Sequence, residues 1–97
     1  MLLSDLLKNI DVVRVVGNSQ VSVSGIQSDS RKVEKGHVFV AQAGTAVDGH
    51  TFITQCVERG AVAIVLDNPT YMPSESNGVV YIQVKNSDEA LGKMAHY

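Results

Sequence analysis

At 97 residues, with 44% hydrophobic and 19% charged side chains and a formal charge of −2, the chain has the makeup of one soluble domain with a real core. A disordered chain would be poorer in Val, Ile and Leu. The eight Lys and Arg are scattered and form no basic stripe of the kind that binding a phosphate backbone requires, so nucleic acid is not an expected partner.

The opening residues, MLLSDLLKNID, lack a basic start and a long apolar run, so neither a signal peptide nor a membrane span is expected and the cytoplasm is the expected location. Ser4 is a candidate cap for a short docking helix with Leu2, Leu3, Leu6, Leu7 and Ile10 on one side. Residues 12–16 are mostly β-branched, Gly17-Asn18 is turn chemistry, and residues 21–27 alternate apolar and polar positions. This pattern predicts two strands joined by a tight turn.

HVFVA (37–41) and AVAIVL (61–66) are apolar throughout, as strands of a parallel sheet must be when helices cover both faces. Between them Phe52, Ile53, Cys56 and Val57 recur at helical spacing and Gly60 supplies a stop, which makes a βαβ unit. The single Cys56 cannot form an internal disulfide and reads as a small buried hydrophobe rather than a catalytic thiol. Residues 67–78 hold both prolines and predict a surface loop before a further core strand, VVYIQV (79–84). Ser87 then caps a last helix with Asp88 and Glu89 in its first turn and an apolar stripe of Leu91, Met94 and Ala95. That helix reaches Tyr97 without a stop signal, which predicts a fragment or a domain boundary. The expected class is α/β: a small three-layer sheet with βαβ units and flanking helices.

In open α/β sheets ligands bind at the carboxyl ends of the strands. Ser28 and Ser30 follow one predicted strand, and AGTAVDG follows another. Together their hydroxyls and glycine-exposed N–H groups would make a neutral pocket for a sugar, a base or a phosphate ester. Gly44 and Gly49 permit backbone conformations closed to other residues, and the loop between them either presents N–H groups to an anion or simply turns, with Asp48 capping the helix; local chemistry favours the turn. Asp29 reads as a loop brace, and Arg31 as its partner or a ligand contact. His50 lacks the companions of a triad and is expected to face solvent, and neither His37 nor His96 has the neighbours of a zinc site. No G-x-x-x-x-G-K-[ST] or G-x-G-x-x-G run occurs.

The stretch SDSRKVEKGHVFVAQAGTAVDGHTFITQCVERGAVAIVLD (28–67) resembles the N-terminal domain of the Mur ligases, through D-S-R-x-V-x-x-G-x-x-F-V-A, G-x-x-x-D-G-H-x-F-I and A-x-x-x-G-A-x-A-[IV]-V. Within that family it looks most like the branch that adds the third residue of the peptidoglycan stem peptide; the branch that adds D-alanyl-D-alanine, or a non-catalytic α/β interaction module, are the alternatives. The resemblance implies a single domain over residues 1–97 that holds the UDP end of UDP-N-acetylmuramoyl-L-alanyl-D-glutamate, for cell wall biogenesis and so for cell shape and division.

ATP and magnesium would bind a following central domain, absent here with the C-terminal one, so no catalytic residue, metal or cofactor is expected in this fragment. Its partners would be that substrate and the parent's own domains, with no nucleic acid and no membrane. By the same resemblance Ser28 and Ser30 contact the nucleotide. Thr45, Ala46 and Val47 stand where a common version of the family has His-Gln-Ala, so Thr45 would supply a polar contact and Ala46 and Val47 backbone and apolar surface. Asp29, Arg31, Asp48, Gly49 and His50 would support these contacts.

Overall fold

A computed structural model of the chain describes residues 1–44 and 47–95. Five strands form one sheet: β1 (Val12–Val16), β2 (Gly25–Gln27), β3 (His37–Val40), β4 (Ala63–Leu66) and β5 (Val80–Val84). Their order is β1-β5-β4-β3-β2, with β1 antiparallel to β5 and all other pairs parallel. Helices α1 (Leu3–Leu6), α2 (Ile53–Glu58) and α3 (Ser87–Ala95) flank it.

The alternation of side chains along the central strands explains the layers. Val38, Val40, Ala63, Val65, Val80, Ile82 and Val84 point to one face, where Leu3 and Leu6 of α1 and Ala90 and Met94 of α3 cover them. Phe39, Ile64 and Leu66 point to the other and meet Ile53 and Cys56 of α2. The parallel strands advance one position at a time across the sheet, so connections of one hand must all pass over the same face. They do: Val33 from the β2–β3 crossing, α2 from the next, and Met72 and Val79 from the last all pack on the Phe39 side. The opposite face is thereby left to α1 and α3.

Several expectations are corrected. Residues 12–16 and 21–27 do not form a hairpin, because β1 and β2 lie at opposite edges of the sheet. The pairing capacity of residues 21–23 is taken by the first residues of the chain: the Met1 ammonium donates to Val23 O at 3.1 Å, Leu3 N–H donates to Val21 O at 2.9 Å, and Leu2 bridges Ser22. Only Gly25–Gln27 remains as strand β2.

Ser4 is inside α1 rather than capping it; Leu2 occupies the cap with no side-chain bond. At α3, Asn86 does the capping, its Oδ1 accepting Glu89 N–H at 3.0 Å, while Ser87 N–H donates to the Asp67 carboxylate at 2.9 Å. The apolar stripe of α3 runs through Ala90 and Met94, with Leu91 partly buried and Ala95 exposed. Within residues 67–78 the chain makes one 3-10 turn, Pro69–Tyr71, capped by Asn68.

The stop after α2 is as expected. Gly60, at φ +104°, lets its own N–H reach Val57 O and Ala61 N–H reach Cys56 O, both at 3.1 Å, which satisfies two carbonyls of the last turn. A Cβ at Gly60 would also lie 2.9 Å from Lys35 Cα. Gly60→Ala is therefore expected to destabilise the domain by about 1–3 kcal/mol, from backbone strain and this close approach, measured by urea denaturation at constant m-value.

Candidate functional site

Because β2, β3, β4 and β5 run parallel, the segments that follow them emerge side by side at one edge of the sheet. Gln27 stands opposite Phe39, so the residues after β2 and those after β3 leave neighbouring strands at nearly the same level. The expected serine segment and the expected glycine loop are therefore adjacent.

The segment after β2 is rigidified by its own side chains. Gln27 Oε1 accepts the N–H groups of both Ser28 and Asp29 at 3.1 Å. Asp29 is the brace foreseen: its carboxylate accepts Arg31 N–H at 3.0 Å and the Arg31 guanidinium at 3.1 and 3.0 Å. This paired hydrogen bonding, the guanidinium contact first, holds the Asp29 carboxyl down at about 2. Ser28 is exposed, and Ser30 opens a 3-10 turn (Ser30–Lys32) and is buried. The hydroxyls committed internally are those of Ser24, on Lys35 O, and Thr51, on Asp48 O; among the described residues those of Ser28 and Ser30 are not.

The loop after β3 closes on itself. Ala43 and Asp48 form an antiparallel bridge, and Gly49 N–H donates to Gln42 O at 2.7 Å. Glycine is needed here for space and not for a left-handed backbone: a Cβ on Gly49 would stand 2.6 Å from Gln42 O, and one on Gly44 would stand 2.5 Å from Val47 O. This corrects the expectation of unusual conformations at the two glycines. Thr45 and Ala46 lie outside the described residues. Val47 is 56% exposed at the edge. Asp48 caps the 3-10 turn Gly49–Phe52 by accepting His50 N–H at 2.9 Å, the turn-and-cap arrangement that local chemistry favoured. That backbone bond, with the His50 ring second, lowers the Asp48 pKa below the usual carboxylate range.

His50 does not face solvent; it is 1% exposed. Its Nδ1 lies 2.7 Å from Asp48 Oδ1, and its Nε2 accepts the N–H groups of Asp67 and Asn68, each at 3.2 Å. The imidazole thus ties the loop after β3 to the exit of β4. Asp67 carries the tie on to α3 through Ser87 N–H, and Gln42 Nε2 donates to Asp88 Oδ1 at 2.7 Å. Gln27, Gln42, Asp67 and Asn68 were missed by sequence reasoning. Gln42, Asp67 and Asn68 could have been found from their place just after an apolar strand, where side chains of an open sheet meet at its edge; Gln27, within a segment of alternating polarity, carries no such signal.

The edge so built offers hydroxyls, backbone and a little apolar surface. It holds no activated nucleophile among the described residues: burial pushes the Cys56 thiol up to about 11, and its side chain packs on α2's side of the core. The chemistry open to such a surface is the binding and orienting of a polar ligand. Among the described residues no cluster of three His, Cys, Asp or Glu is placed to hold a metal ion, and no helix is long and apolar enough to cross a membrane.

Comparison with known proteins matches residues 22–97 to the family described as Mur ligase family, catalytic domain. Two similar curated proteins are the UDP-N-acetylmuramoyl-L-alanyl-D-glutamate–2,6-diaminopimelate ligases of Bacteroides fragilis and Bacteroides thetaiotaomicron, 44% and 45% identical over 98% of this chain and 19% of each relative. The chain therefore spans about a fifth of the length of these relatives. Among solved structures, MurF from Acinetobacter baumannii superposes with a TM-score of 0.72 at 23% identity, over 95% of this chain and 19% of that one. At that identity the likeness is one of fold. MurF from Thermotoga maritima, in complex with ADP, matches with a TM-score of 0.60 at 33% identity, over 72% of this chain and 15% of its own.

The two lowered aspartates set an acid limit on this edge. Each carboxylate is favoured by the fold, so its contribution is fully present above the unfolded pKa of about 4 and is lost as pH falls through the lowered folded pKa, which for Asp29 is about 2. Carboxyl carbon NMR shifts should place the Asp29 midpoint near 2, and Arg31→Ala should return it toward the ordinary carboxylate range while leaving Asp48 unchanged.

Proposed function

The chain belongs to the Mur ligase family, and from that premise we propose that it is the N-terminal, UDP-recognising domain of a UDP-N-acetylmuramoyl-tripeptide synthetase in peptidoglycan precursor synthesis. Its ligand is the uridine diphosphate end of UDP-N-acetylmuramoyl-L-alanyl-D-glutamate, and 2,6-diaminopimelate, named in the relatives, is the amino acid that the parent enzyme adds. Identities of 44% and 45% over 98% of the chain to those ligases, against 33% over 72% of it to the T. maritima MurF, weigh for this branch over the one that adds D-alanyl-D-alanine.

The observation that carries the reading is the pair of serines at the end of β2, with hydroxyls uncommitted among the described residues, beside the loop after β3. Ser28 and Ser30 would hold the nucleotide from one side. Val47, with Thr45 and Ala46, would meet it from the other. Asp29 and Arg31 keep the first segment rigid, and Asp48, Gly49 and His50 the second.

ATP and magnesium do not fit the residues of this chain, which has no G-x-x-x-x-G-K-[ST] run and, among the described residues, no metal-ligating trio. In this reading they belong to the rest of the parent ligase, in the cytoplasm. Activation of the substrate carboxylate and attack by the amine take place there. This domain contributes by fixing the far end of the substrate, so that its binding energy positions the reacting carboxylate.

Titrating the chain with UDP-N-acetylmuramoyl-L-alanyl-D-glutamate should shift the amide NMR signals of Ser28, Ser30 and Val47, with those of Thr45 and Ala46. Unmoved signals at millimolar ligand would count against the site. In the parent ligase Ser30→Ala should raise KM several-fold, about tenfold at most for one lost hydrogen bond, with kcat little changed; a large fall in kcat at constant KM would contradict a binding role.

A further inference from the structure

We propose that His50, as a neutral imidazole with its proton on Nδ1, is the positioning residue that clamps the loop after β3 to the exit of β4 and so fixes where Val47 to Gly49 face the ligand. The inference rests on the nucleotide-binding reading above and deepens it.

Two fixed donors decide the protonation of the ring. Backbone N–H groups cannot reverse their polarity, and those of Asp67 and Asn68 both point at Nε2 from 3.2 Å. That nitrogen must therefore present its lone pair, which places the proton on Nδ1, where Asp48 Oδ1 accepts it at 2.7 Å. Asp67 Oδ1 also lies 3.3 Å from Nε2, farther than either N–H, while Asp67 Oδ2 is held by Ser87 N–H. The Tyr71 ring, its centroid 5.4 Å away and tilted by 36°, completes the surroundings.

The clamp acts on consecutive residues. Asp48 receives the imidazole proton and the His50 N–H on the same oxygen, and bridges back to Ala43; Gly49 N–H donates to Gln42 O. A loop tied at Asp48, Gly49 and His50 has little freedom in height over the sheet edge. Without the ring its outer limb would be joined to β3 alone and no longer to β4. A ligand would then have to order the loop itself, at the expense of affinity.

The test has two parts, both on the 97-residue chain. Long-range proton–nitrogen correlation NMR of the His50 ring at neutral pH should show Nδ1 protonated and Nε2 bare; an Nε2–H tautomer or an imidazolium overturns the proposal. Titration with uridine diphosphate should then show His50→Gln, whose amide oxygen can accept in place of Nε2 but which has no group at the position of Nδ1 to donate to Asp48, binding about tenfold more weakly than wild type, with the amides of Val47 and Gly49 displaced and those of β1 unmoved. Equal affinity overturns the positioning role and leaves the proposed function standing. No binding by wild type overturns both. If His50→Gln fails to fold, the ring tautomer of the wild-type chain decides.

Discussion

Strands β3 and β4 are apolar on both faces, and nearly everything else in the fold is a means of covering them twice. Val38, Val40, Ala63 and Val65 need one cover, and Phe39, Ile64 and Leu66 need another. At about 25 cal/mol per Å² of apolar surface, leaving either face open would forfeit several kcal/mol, comparable to the whole stability of a domain this size. The unidirectional strand order solves half of the problem, since it lays all three crossings over the Phe39 face. The other half falls to α1 and α3, drawn from the two ends of the described chain. The same arrangement gathers the ends of four parallel strands at one edge, so the burial that stabilises the sheet also assembles the site.

Elements whose character lies in their own residues were legible. β3, α2, β4 and β5 were foreseen because continuous β-branched runs and helical spacing are local properties, and the stop at Gly60 because a left-handed glycine is a local necessity. Partnerships were not legible. Alternation in residues 21–27 says that a strand-like segment has two faces, but not which chain it pairs with, and the hydrogen bonds from Met1 and Leu3 to that segment settle the matter through contacts distant in sequence. The misplaced caps at Ser4 and Ser87 have a smaller cause: several residues near each helix start can cap, and the backbone path selects one, Asn86 at α3 and none at α1.

At the site the division is similar. The Asp29–Arg31 brace and the Asp48 cap were foreseen because both bonds close within two residues. His50 was misjudged because its second set of partners, Asp67 and Asn68, lies 17 and 18 residues away. A histidine at a helix start reads as polar surface until the neighbouring strand's exit is known to cover it. Gln27 and Gln42 went unnoticed for a related reason, since a glutamine is ordinary in sequence and becomes specific only when its amide meets two backbone N–H groups or a carboxylate across the sheet edge.

Cys56 has one consequence outside packing. It is the chain's single thiol, wholly buried on the sheet-facing side of α2, with its ionisation driven to about 11. A maleimide or a disulfide reagent meets a reactive thiolate there only when α2 lifts from the sheet. The domain thus carries its own gauge of breathing, one that also registers motion of the serine segment and of the loop after β3, since Arg59 at the end of α2 donates to Arg31 O at 3.2 Å and α2 continues directly from the Gly49–Phe52 turn.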